Sequence, residues 1–219
     1  MTRYIAILLT LVLLRPCLAA EVETREFQVN VDGRPAGSYT MTITQHPDGT
    51  ITQTGQANVR IRVLIKTFIY TYNGTETWSD GRLMKFESMT NDDGKHYQLR
   101  GVASARGLDF SVNGRAALAS EKVWPMSFWK LPAPEHRNGP VELLEIDNGK
   151  VHKCQMRLVG TTRITVDGQP LETRQFQIRG GTMADLWFDQ SDRLVRHETV
   201  NDGHPTVLHL LRIRTQPSK

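Results

Sequence analysis

Residues 57–63 read Ala57-Asn58-Val59-Arg60-Ile61-Arg62-Val63, with an apolar side chain at every odd position and a polar one at every even position. Successive side chains of an extended strand point to opposite faces, so the stretch has one dry face and one wet face. The same period of two recurs outward in both directions. Upstream, Phe27, Val29 and Val31 alternate with Gln28 and Asn30, and Tyr39, Met41 and Ile43 with Thr40, Thr42 and Thr44. Downstream it returns at Leu108, Phe110 and Val112, at Ile164 and Val166, and at Phe176 and Ile178. Strands with one wet face suit an antiparallel sheet; strands covered by helices on both sides would be continuously apolar.

The punctuation between these runs agrees. Asp-Gly or Asn-Gly stands at 32–33, 48–49, 73–74, 80–81, 93–94, 113–114, 138–139, 148–149, 167–168 and 202–203. Such dipeptides accept the positive φ angles of tight hairpin turns. They predict about ten to twelve strands joined mostly as a meander. The expected fold is all-β: a single curved antiparallel sheet or half-open barrel, with a short helical or irregular central segment.

That central segment is Glu121–Pro140, EKVWPMSFWKLPAPEHRNGP, which holds four prolines and two of the four tryptophans. Its prolines cannot donate to a sheet ladder, so it is not a central strand. Ser120 is placed to cap a short helical turn through Trp129, ended by Pro132. The segment joins two halves of one antiparallel domain spanning residues 20–219.

Composition narrows the classes. At 219 residues, 39% apolar and 23% charged, the chain is neither collagen-like, nor a coiled coil, nor wholly disordered. Residues 1–19 read as a signal peptide. Arg3 precedes an apolar run from Ile5 to Leu14, and small residues follow at Ala19 and Ala20. The run is too short to cross a bilayer, which takes about 20 residues as a helix, and it has the plan of a cleavable leader. Cleavage after Ala19 or after Ala20 fits; an uncleaved anchor is the competing reading. Arg15 and Pro16 before Cys17 argue against a lipid anchor. Losing Arg3 and Arg15 from the 27 basic residues leaves 25 against 23 acidic ones, a net charge of +2. Nothing in that balance resembles a nucleic-acid footprint. Cleavage also removes Cys17, leaving Cys154 on the apolar side of an alternating run and no internal disulfide. The expected location is periplasmic or secreted.

Catalytic signatures are missing from the chain. There is no phosphate-binding glycine loop, no G-x-S-x-G elbow and no His-Glu-x-x-His. Seven histidines (His46, His96, His136, His152, His197, His204 and His209) show no ligand spacing, and His209 reads as a partly buried residue tied to backbone. No metal, cofactor or catalytic residue is assigned. Glu76, Asp80, Glu87 and Asp189 lie near aromatic positions, and any two could meet across strands for acid chemistry.

The aromatic residues carry the functional clue. Phe68, Tyr70 and Tyr72 give one strand an aromatic face, and apolar parity changes from odd at Ile61 to even at Phe68. That change predicts a bulge or bend near Lys66-Thr67 that curves the sheet. A sheet curving over more than about eight strands encloses more space than side chains readily fill. Trp124-Pro125-Met126-Ser127-Phe128-Trp129 either plugs that space, acts as a lid over an apolar ligand, or binds a partner. Tyr70, Tyr72, Trp124, Phe128 and Trp129 are the candidate ligand-binding residues. A short echo, Trp78-Ser-Asp80-Gly-Arg82-Leu83 against Trp187-Phe-Asp189-Gln-Ser-Asp192-Arg193-Leu194, reads either as two hairpins converging on similar corners or as an internal duplication.

These features together resemble a family of exported bacterial proteins that share a domain of unknown function. The residues carrying the resemblance are the leader, Tyr70-x-Tyr72-x-x-x-Glu76-x-Trp78-x-x-Gly81-Arg82-Leu83, the central Trp/Pro segment, and Leu186-Trp187-Phe188-Asp189 with Arg193-Leu194-Val195. It covers about residues 25–215 and implies a curved antiparallel sheet, similar in outline to periplasmic lipoprotein-carrier domains, which hold acyl chains in a half-barrel. The leading functional expectation is a non-enzymatic periplasmic binder or carrier of an apolar small molecule, lipid or acyl chain. It has no membrane span once the leader is gone. The alternatives are a structural or envelope-interaction protein with a filled core, and a hydrolase or isomerase with an unrecognised site.

Overall fold

A computed structural model describes residues 21–63 and 66–217. The leader and Cys17 lie outside the described residues. Among the described residues, fifteen strands form one sheet. In chain order they are β1 (Glu21–Val31), β2 (Arg34–Gln45), β3 (Ile51–Val63), β4 (Lys66–Ser79), β5 (Arg82–Asp92), β6 (Lys95–Ser104), β7 (Gly107–Val112) and β8 (Arg115–Ala119). The second half holds β9 (Trp124–Pro125), β10 (Gly139–Leu144), β11 (Val151–Val166), β12 (Gln169–Gly180), β13 (Ala184–Phe188), β14 (Leu194–Asn201) and β15 (His204–Pro217).

The spatial order runs β8 to β1, then β15 back to β9, so every strand except β8 and β9 pairs with both its neighbours in sequence or with the other terminal strand, and β1 and β15 pair in the middle. All pairs are antiparallel except β9 with β10. The two edges of the sheet, β8 and β9, are joined by residues 120–123 alone. A chain extends at most about 3.6 Å per residue, so Ala119 and Trp124 lie within about 18 Å of one another. The sheet must therefore curl until its edges nearly meet.

Six of the expected turns have the two positive φ angles that this hairpin type demands, at Asp32-Gly33, Asp80-Gly81, Asp93-Gly94, Asn113-Gly114, Asp167-Gly168 and Asp202-Gly203. Fifteen strands exceed the expected ten to twelve because other corners carry no such signal. Ala105-Arg106 turns between β6 and β7, and 189–193 between β13 and β14. Asn73-Gly74 is not a turn at all: it lies inside β4. A Cβ on Gly74 would stand 2.0 Å from the Tyr72 hydroxyl oxygen, so this glycine makes room for a ring on its own strand.

Two further expectations are corrected. The parity change before Phe68 is a hairpin reversal rather than a bulge, because β3 ends at Val63, β4 starts at Lys66, and the two strands pair with each other. The central segment contains no α-helix: 120–123 form a turn, Phe128 has a left-handed φ of 48°, and the one helical turn is a short 3₁₀ stretch at Pro134–His136. Pro125 removes a helical donor, and the aromatic side chains around it pack inward instead.

Candidate functional site

The central segment lies inside the curled sheet. Trp124 rests edge-on against Phe128, with ring centroids 4.7 Å apart, and 6.2 Å from Phe188 of β13. Phe128 meets the His197 ring of β14 at 5.3 Å, and Trp129 meets Trp78 of β4 at 5.6 Å. Contacts to β4 on one side and to β13 and β14 on the other are available only within the curl. Trp124, Phe128 and Trp129 are 5%, 0% and 8% exposed, so the space enclosed by the sheet is occupied by the chain itself.

Polar tethers hold the segment in place. The Arg25 guanidinium, buried on β1, donates to the Trp129 carbonyl and to Glu23 Oε1 at 2.6 Å. Glu23 also accepts from Arg193, which donates to Asp189 Oδ2 at 2.7 Å. The Leu131 amide donates to the Asp192 carbonyl, and Asp192 accepts from Arg137 and Arg174. Arg137 also donates to the Pro132 carbonyl. Residues 129–132 are thereby fixed by an ionic network. Residues 124–128 depend on ring packing, on the Met126 amide bonded to Leu144, on the Phe128 amide bonded to Pro125, on the Trp124 indole donating to the Lys130 carbonyl at 3.1 Å, and on the two-residue strand β9.

Beneath Ser127 the wall is polar. Gln53 of β3 and Glu76 of β4 are directly opposed across the ladder, and both are buried. Trp78 Nε1 donates to Glu76 Oε2 at 2.9 Å. Glu76 Oε1, both amide atoms of Gln53, Ser127 Oγ and Thr90 Oγ1 have no hydrogen-bond partner. Burial pushes the Glu76 carboxyl up to about 7, against a smaller opposing pull of the Ser127 hydroxyl and the Trp78 indole. The Ser127 hydroxyl lies close to the carboxyl but outside hydrogen-bonding geometry, and the Tyr39 hydroxyl stands likewise to Gln53. Tyr39 lies beside this pair, and its phenol is pushed above its ordinary value by burial first and by Glu76 second. Its ring is 6.4 Å from that of Tyr72.

The polar line continues to a second carboxyl. Tyr70 donates to Asp147 Oδ2 at 3.1 Å, and Asp147 is raised to about 6 by burial, then by the Glu145 charge. Asp147 lies in the β10–β11 turn, which folds against β4 and β5 as Ser88 donates to the Ile146 carbonyl. The five aromatic candidates therefore form two groups. Trp124 and Phe128 touch each other; Tyr70 and Tyr72 line the wall; Glu76, Trp78 and Ser127 connect them to Trp129. Two surface grooves, of about 560 and 500 Å³, are lined by none of these five.

The acidic candidates separate. Glu76 and Asp189 are buried; Asp80 and Glu87 are on the surface, in a turn and paired with Lys85 respectively. Sequence reasoning missed Arg25, Gln53, Ser127 and Asp147. A signal was present for two of them, since Arg25 and Gln53 have the parity of the apolar residues on their strands. Among the histidines, His152 bonds Glu145 at 2.6 Å, and burial lowers His197 to about 4. His209 is half-buried beside the Thr165 backbone.

The pattern of the DUF6134 domain of unknown function matches residues 27–210, most of the strand-bearing chain. The chain belongs to this family. As a DUF6134 member it shares its fold with a β-barrel-like protein of the DUF1849 domain of unknown function from Brucella abortus. The TM-score is 0.63 at 7% identity, covering 92% of this chain and 99% of that one. The likeness shows the fold alone. A DUF1329 family protein from Desulfovibrio piger (11% identity, 91% of this chain and 86% of that one) aligns at a TM-score of only 0.18. A putative outer membrane lipoprotein-sorting domain from Vibrio parahaemolyticus (10% identity, 92% and 87%) reaches only 0.20. Neither similarity bears on function. No curated protein matches the chain. No helix among the described residues is long and apolar enough to cross a membrane.

Proposed function

We propose that this is an exported, non-enzymatic binder or carrier of an apolar small molecule or acyl chain, and that the ligand enters by displacing residues 124–128 from the interior. Supporting this reading is the unpartnered polar floor under that segment. A buried hydrogen-bonding atom without a partner costs roughly 1–3 kcal/mol. Here Gln53, Glu76 and Thr90 bring several such atoms to the interior beneath that segment, within a largely apolar chamber. Sites for small molecules combine apolar walls with a few convergent polar groups in this way. Tyr70 and Tyr72 supply the wall, Trp124 and Phe128 supply the apolar surface that a chain-like ligand replaces, and Trp129 stays in place to flank it. The Trp129–Pro132 tethers keep the segment attached while its other half swings.

The test is to extract the purified mature protein with solvent and examine the extract by mass spectrometry. Tryptophan fluorescence is then followed as fatty acids, fatty alcohols and isoprenoids are added. Co-purified lipid, or a saturable change in fluorescence, supports the proposal. Neither result, across all three ligand classes, overturns it. Near-complete burial of Trp124 and Phe128 favours a second reading, a structural protein whose interior is permanently filled. That reading expects no lipid and no response.

A further inference from the structure

The floor discriminates between ligand head groups. Gln53 and Glu76 are a directly opposed cross-strand pair on one face, which places their Cβ atoms about 5 Å apart. Both are about 1% exposed, yet they do not bond to one another. Glu76 offers Oε1 as an acceptor, while Gln53 offers Nε2 as a donor and Oε1 as an acceptor. A single hydroxyl between them satisfies both residues, donating its proton to Glu76 Oε1 and accepting from Gln53 Nε2.

An ionised carboxylate does not fit there. It has no proton to donate, and it would bring a second negative group beside Glu76 in a region without water. The buried cation of β1, Arg25, is already paired with Glu23 at 2.6 Å and with the Trp129 carbonyl. We propose that the ligand seated on Gln53 and Glu76 is an amphiphile ending in an uncharged hydroxyl, a fatty or isoprenoid alcohol rather than a fatty-acid anion. This inference rests on the binding function proposed above.

The experiment compares 1-hexadecanol with hexadecanoate, delivered from cyclodextrin to the full mature chain at pH 8 and read by tryptophan fluorescence. The expected result is at least tenfold tighter binding of the alcohol. Glu76→Gln is expected to bring hexadecanoate to within about threefold of the alcohol. Gln53→Leu, which keeps the carboxyl, is expected to weaken hexadecanol at least fivefold with little effect on hexadecanoate. Equal or tighter binding of hexadecanoate, unchanged by either substitution, overturns the head-group assignment and leaves the binding function standing. Failure of both ligands to bind overturns both. A high-resolution structure grown with hexadecanol that shows only ordered water on Gln53 and Glu76 also overturns the assignment.

Discussion

Gln53 and Glu76 face each other across β3 and β4, both shut away from solvent, and neither bonds the other. Two polar side chains in register inside a β-barrel-like fold run against the physics that fills the rest of that face with Tyr39, Met41, Tyr72 and Phe86. The expense of keeping them there has a direct pH signature.

Glu76 has its folded-state value raised from 4.5 to about 7, so the folded protein holds its proton more tightly than the unfolded chain does. Its contribution is fully present below about pH 4.5 and is lost as pH rises through 7. Glu76→Gln is therefore expected to stabilise the protein at pH 8, by on the order of 3 kcal/mol, and to make little difference at pH 4. Urea unfolding of both proteins at the two pH values measures this. A Glu76→Gln protein less stable than the parent at pH 8 contradicts it.

Arg25 holds the Trp129 carbonyl and neutralises Glu23. Arg25→Met leaves a buried carboxylate network one cation short, a change that costs about 3–5 kcal/mol. It also releases the central segment. Limited proteolysis should then cut between residues 121 and 138 well before the strands are cut. Unchanged resistance in that region rules out the clamp.

Gly101 of β6 sits opposite Phe86 of β5, and a Cβ there would stand 2.1 Å from the Phe86 ring. Gly101→Ala forces the ring out of place, and overpacking of this kind costs about 1–3 kcal/mol. The thermal midpoint should fall accordingly. Phe86→Leu in the Gly101→Ala background should restore part of the loss.

Cys154 is 5% exposed, with its sulfur 3.9 Å from the Thr182 carbonyl. Its thiol should react with an aromatic disulfide reagent at least about tenfold more slowly in buffer than in urea. Rapid reaction in buffer means that β11 separates readily from β10 or β12 around Cys154.

The strands were legible because each carries its own two-residue period, and most turns because Asp-Gly and Asn-Gly have a local reason to be there. Long-range consequences were not. Nothing near Gly74 shows that a tyrosine ring, rather than a corner, requires that glycine. The reversal between Val63 and Lys66 reads along the chain like a bulge, because both devices flip side-chain parity. Within the candidate site, the aromatic residues announce themselves, but their partners come from elsewhere: Arg25 is 104 residues from the carbonyl that it holds, and Asp147 is 77 from Tyr70. The echo between Trp78 and Trp187 does mark two hairpins, but the rings have different partners. Half-buried Trp78 donates to Glu76, whereas buried Trp187 lies under Arg196.

Whether residues 124–128 move is read most directly by native-state hydrogen exchange at the Met126 and Phe128 amides, bonded to the Leu144 and Pro125 carbonyls. A segment that opens to admit a ligand exchanges through a local opening, at least about a hundredfold faster than Met41 or Leu99 in the core strands. It also slows when hexadecanol is bound. Exchange of Met126 and Phe128 at the same rate as Met41 and Leu99, with or without the alcohol, would mean that the interior is permanently filled and that no ligand enters.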